Sequence, residues 1–202
     1  MSAESAWVRA AAERLRGAGY RDTSLHVPEA TALRRADFRV SWFLTRLHTF
    51  VLLVTPGPLD VRRAAELVAE GVGAAKRAKG GLPLGFQTGL AALTVVVVDE
   101  ATDDLRAWFA LRPAKMFGAF PLALLVETST GRVTTYTGDV YWGSAYQSFL
   151  AEQQHLVTGD AGSAALGGAG GGRGQAITTV YAVVFVLAIL MAFAMLVLLL
   201  VR

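Results

Sequence analysis

Cysteine is absent from this chain of 202 residues, which excludes disulfides, thiolate metal sites and a cysteine nucleophile. Proline is scarce, with six in all, so each one marks a stop rather than a pattern. Charge of one sign is also lacking: 19 Lys and Arg face 16 Asp and Glu, a formal net charge of +3. So small a surplus gives no prior for a polyanionic ligand, and nucleic acid is not expected as a partner. The three histidines, His26, His48 and His155, are scattered. The amino terminus has no basic start followed by an apolar run, the mark of a secretory signal peptide, so a cytoplasmic domain is the expectation. Neither Gly-x-x-x-x-Gly-Lys nor Gly-x-Ser-x-Gly occurs, and Gly71-Val72-Gly73 lacks the strand-then-helix setting of a dinucleotide loop. No cofactor is therefore expected.

What the chain does have is one long apolar run. Residues 176–201 contain no charge, glycine or proline, and apolar side chains would lie all round the helix they form. At about 1.5 Å per residue that helix covers the roughly 30 Å hydrocarbon core of a bilayer. A single-pass, tail-anchored protein of the cell membrane is the expectation. Residues 158–175, with Gly-Gly-Ala-Gly-Gly-Gly-Arg-Gly, have the composition of a flexible linker with a reach of about 20–25 Å. Within the apolar run Ala188 and Ala192 stand four apart, a spacing that suits helix pairing and hence a homo-oligomer.

Residues 1–157 hold one soluble domain's worth of chain, and their patterning predicts an α+β fold with a mixed sheet of five to six strands and flanking helices. Ser2 caps a helix carrying Trp7, Ala11 and Leu15 on one face and ending at Gly17 and Gly19. Strands are expected at 23–27, 38–44 and 47–54, the last two forming a hairpin near Arg46 or one bent strand. Asp60 caps a helix over 61–79, and 94–98 has the β-branched run of a central strand. Thr102 caps a short helix, 120–126 and 133–136 flank a turn at 128–131, and a last helix spans 144–157.

Two charged groups are candidate sites. Asp99, Glu100, Asp103 and Asp104 follow the 94–98 strand directly, and grouped carboxylates beyond a strand's carboxyl end suit Mg²⁺. An acidic first helical turn that complements the helix dipole explains Asp103 and Asp104 equally well. Lys76, Arg77 and Lys79 close the second helix, where they offset its negative end and are placed to meet anionic lipid head groups. Met116, Phe117, Phe120, Tyr141, Trp142 and Tyr146 form an aromatic-rich stretch that suits either a contact patch or the core.

The order helix, strand, strand, strand, helix, strand over residues 3–98 resembles, in topology, the core of restriction-endonuclease-like nucleases. That family carries an acidic residue followed by Glu-x-Lys on the next strand. Residues 47–54 have no such triplet, and Asp37 is the only carboxylate suitably placed. The resemblance therefore implies a degenerate, inactive core. The leading expectation is a membrane-tethered, non-catalytic protein-binding or scaffolding module, and the alternative is a divalent-metal-dependent hydrolase or phosphotransfer enzyme.

Overall fold

Six strands lie side by side in the order of the chain: β1 (Arg21–Asp22), β2 (Ala30–Phe38), β3 (Arg46–Val54), β4 (Thr88–Val98), β5 (Ala119–Glu127) and β6 (Val133–Thr135). The computed structural model describes residues 2–39, 42, 45–81, 83–84, 87–114, 116–138 and 144–159. All of these fall within one compact unit, Met1–Ala169, and a second unit is Gly170–Arg202. The expected linker and apolar span lie outside the described residues. Among the described residues no helix is long and apolar enough to cross a membrane.

Pairing is antiparallel from β1 through β3, parallel from β3 through β5, and antiparallel again at β6. Parallel neighbours need a crossover. The first is α2 (Val61–Lys79) and the second α3 (Asp103–Phe109), while α1 (Ala3–Gly17) precedes the sheet and α4 (Ser144–Thr158) follows it. Three helices start on side-chain caps: Ser2 accepts from the Ser5 amide, Asp60 from Arg63 and Thr102 from Leu105. Each cap satisfies one of the amides that a helix start leaves without a partner.

The register divides the strand residues between two cores. Leu47, Val51, Leu93, Val95 and Leu124 pack with Leu15 of α1 and Phe149 of α4. Their neighbours along the strands, Phe50, Leu52, Leu90 and Ala92, meet Leu67, Val72 and Ala75 of α2, while Val96 and Leu125 meet Leu105 and Phe109 of α3. Every residue of β4 is buried, which is why it is a continuous apolar run rather than an alternating one.

Three strand expectations need correction. The strand expected at 23–27 is instead the two-residue β1, ahead of it in the chain. Of the strand expected at 38–44 only Phe38, Arg39 and Trp42 are described, and they do not form one strand. Phe38 is the last residue of β2, and Trp42 sits in a tight turn in which its amide donates to the Arg39 carbonyl and the Thr45 amide donates to its own. Trp42 is 1% exposed, so the apolar alternation around it marks a ring wedged into the core. β2 itself went unforeseen because Arg34, Arg35 and Asp37 hide its period. Leu33 is buried on one face, and Arg35 on the same face lays its guanidinium over Tyr20 and Phe149 at 4.9 and 5.6 Å. A long cationic side chain thus does the covering that a strand pattern assigns to an apolar one. In place of the hairpin or bent strand expected from 38–44 and 47–54, β2 pairs antiparallel with β3, with Phe38 opposite Arg46, the first residue of β3.

On the sheet's outer edge Arg21 lies directly opposite Arg34. Under α2, Gly71 allows close approach to β4: a Cβ there would lie 2.8 Å from Thr94 Oγ1 and 3.4 Å from a Leu52 methyl. Gly71→Ala is expected to destabilise the domain by about 1–3 kcal/mol through overpacking, despite alanine's better helix propensity. Urea unfolding checks this, and the loss should shrink in a Thr94→Ala background.

Candidate functional site

Because β3, β4 and β5 run the same way and α2 and α3 run back, the connections collect at two opposite ends of the sheet. At the carboxyl end a cleft of about 420 Å³ is lined by Leu59, Asp60, Val61 and Arg62 from the start of α2 and by Thr102 and Asp104 from the start of α3. In open sheets of this kind ligands gather beyond the carboxyl ends of parallel strands. The four carboxylates singled out in the sequence stand at this end, each on its own terms. Asp103, with a side chain 97% exposed, pairs with Arg106 at 2.7 Å. Asp99 Oδ1 accepts from the Thr128 hydroxyl at 3.2 Å. Glu100 and Asp104 are exposed. Among the described residues no three or more His, Asp or Glu side chains form a group suited to a metal ion.

The charged pair that organises this end was not visible in the sequence. Glu127, the last residue of β5, has a side chain 0% exposed. It accepts from Arg106 Nε at 3.1 Å, from Arg106 Nη2 at 2.6 Å and from the Ala101 amide at 3.3 Å. The Arg106 hydrogen bonds hold the carboxyl below its ordinary range against the opposing effect of burial, and they raise the guanidinium in turn. Arg106 thus links the buried Glu127 to the exposed Asp103. The only signal in the chain was a lone glutamate closing an apolar strand, which most often marks no more than the strand's end.

The opposite end is basic. It receives the last turn of α2 with Lys76, Arg77 and Lys79, the start of β3 with Arg46 and His48, and the end of β2. Lys79 Nζ donates to the Gly80 carbonyl at 3.0 Å. His48 is held below its ordinary value first by burial and then by Lys79, Arg46 and Arg34. Every charge perturbing this imidazole is a cation.

The aromatic stretch divides. Tyr146 stacks on Phe120 at 5.2 Å and on Trp42 at 5.0 Å, so Phe120 and Tyr146 belong to the core. Met116 is half-buried against the α2 core, and Phe117 is 75% exposed. Tyr141 and Trp142 lie outside the described residues. Asp37, the carboxylate of the nuclease resemblance, pairs with Arg35 at 2.9 Å on the α1–α4 face.

These elements define a three-layer α+β domain, a mixed six-stranded sheet between α1 and α4 on one face and α2 and α3 on the other. Comparison with protein-family models, with characterised proteins and with solved structures finds no match.

Proposed function

We propose that the chain is a membrane-tethered, non-catalytic recruitment module whose cytoplasmic domain holds a basic segment of a partner protein at the cleft between the starts of α2 and α3. The observation that carries this reading is the carboxylate-rich surround of that cleft, whose lining holds Asp60 and Asp104, with Arg62 as the one cation among the described residues that line it. Asp104 lines the cleft, Glu100 is exposed two residues before the lining residue Thr102, and neither is in an ion pair with another described residue. Asp99 beside them is oriented by Thr128. Negative charges spread along a rim attract and orient a cationic partner without needing to converge on one atom. Metal-dependent hydrolysis, the alternative, needs convergence, and Asp103 is engaged by Arg106 instead. The nuclease-like order of elements is compatible with recruitment, because Asp37 is tied to Arg35.

Proximity labelling from the full chain tests the proposal. A discrete set of neighbours is expected, lost when Asp99, Glu100 and Asp104 are all changed to lysine. Labelling of bulk membrane proteins alone, unaltered by those changes, would overturn it. A saturable Mg²⁺ isotherm abolished by Asp99→Asn with Asp104→Asn would favour the metal-dependent alternative. Tethering is tested separately by extraction in alkaline carbonate, from which the span of 176–201 should keep the chain in the membrane pellet.

A further inference from the structure

Among the described residues three large apolar side chains are exposed: Phe38 at 53%, Leu111 at 64% and Phe117 at 75%. Two of them are aromatic, and the register brings both to the basic end. Phe38 pairs with Arg46 and Arg46 with Thr88. Two residues beyond Thr88, Leu90 pairs with Ala119, and Phe117 lies in the tight turn that leads into β5 at this same end. β2, which ends on Phe38, and β5, which Phe117 precedes, are three strand spacings apart, about 14 Å. Arg46 opens β3, which lies between those two strands, with His48 two residues along and Lys79 close enough to perturb that imidazole. Lys76 and Arg77 come from the same last turn of α2.

Among the described residues the acidic side chains near this end are already engaged. Asp37 pairs with Arg35 on the other face of the sheet, and Glu152 of α4 lies 3.7 Å from Arg39. Arg34 and Arg46 have no carboxylate partner among the described residues. Exposed aromatic rings flanking a row of cations are costly as plain solvent-facing surface, yet they match a bilayer interface. There rings settle at the level of the head groups and cations meet anionic lipid.

We propose that this end of the domain, with Phe38 and Phe117 as shallow anchors and Arg46, Lys79, Lys76 and Arg77 as the cationic row, docks on the anionic face of a lipid bilayer. This deepens the membrane-held reading by fixing which end of the domain meets the lipid, so that the acidic rim at the other end faces away from it. It extends the lipid-contact residues Lys76, Arg77 and Lys79, expected from sequence, to a sheet end that only the fold assembles. Each cation removed is expected to weaken the docking about fivefold, and high salt should weaken it further.

The absence of cysteine allows a single labelled cysteine to report the docking. Full-length chain carrying Pro83→Cys, at the basic end, or Thr130→Cys, in the β5–β6 turn at the other end, is labelled with a polarity-sensitive fluorophore. It is then placed in nanodiscs of phosphatidylcholine with or without phosphatidylserine. A blue shift is expected at Pro83→Cys in the phosphatidylserine discs alone, with none at Thr130→Cys. The shift should be lost with Phe38→Ser and Phe117→Ser together, and separately with Arg46→Gln and Lys79→Gln together, which should weaken docking about 25-fold. A shift at Thr130→Cys, or none at Pro83→Cys, would overturn the proposal. If carbonate strips the full chain from membranes, the span fails but docking is still decided: the chain should float with phosphatidylserine vesicles and lose that flotation with the same four residues. Competition by inorganic phosphate at equal charge would show that the cations bind free anions rather than a lipid surface, and would also overturn it.

Discussion

Phe149→Ala is expected to remove about 3–5 kcal/mol of stability, the largest loss that a single truncation of the α4 layer should cause. The ring is 0% exposed and meets Trp42 edge-on at 5.0 Å. It also underlies two guanidinium groups, Arg35 at 5.6 Å and Arg39 at 5.1 Å. Truncation therefore opens a cavity and strips the apolar support from two cations at once. For a domain of this size the melting temperature should fall by roughly 10 °C. A shift in urea midpoint at constant slope would show that packing alone is lost. Phe149→Leu, which keeps most of the volume, should cost under about 1.5 kcal/mol. Equal losses for the two variants would mean that the site collapses around alanine and that the ring supports less than its burial implies.

The second large effect concerns charge. Arg106→Ala leaves the Glu127 carboxylate buried with only the Ala101 amide donating to it. An uncompensated buried carboxylate is expected to cost about 3 kcal/mol, the low end for a broken buried pair because water can reach the place Arg106 vacates. The pH dependence separates this from lost packing. In the native chain the folded-state pKa of Glu127 lies below the ordinary 4.5. Its contribution to stability is thus fully present above that value and lost as pH falls through the depressed one. Without Arg106 burial dominates and raises the pKa above the unfolded value, so the variant should gain relative stability as the solution is acidified from neutrality. Denaturation midpoints measured across that range should therefore slope in opposite directions. Replacing both partners, Arg106→Leu with Glu127→Met, should restore much of the loss. Parallel slopes for native and Arg106→Ala chains would show that Glu127 is already solvated.

The elements foreseen in the sequence are those whose determinants are local. Ser2, Asp60 and Thr102 cap helices within three residues of themselves, and β5 and the 94–98 part of β4 are apolar runs that suit a buried strand, whereas residues 88–93 of β4 were not foreseen. β2 was hidden because its partners are remote: the aromatic faces that accept Arg35 come from Tyr20 and, more than a hundred residues later, Phe149. The same distinction governs the two sheet ends. Asp99, Glu100, Asp103 and Asp104 are neighbours in the chain, as are Lys76, Arg77 and Lys79, so both groups could be seen as clusters. Arg106 meets Glu127 through the packing of α3 on β5, and Phe38 and Phe117 reach one end of the sheet through the strand order, neither of which composition and periodicity encode.

β1 has two residues and β6 three, and on the β1 side Arg21 faces Arg34 across the ladder. A flat, long, uncharged margin would invite another molecule's strand to join the ladder. Here the two terminal strands themselves are too short to template one, and a newcomer on β1 would meet paired like charges. Neighbouring copies then find little ladder on β1 or β6 through which to join.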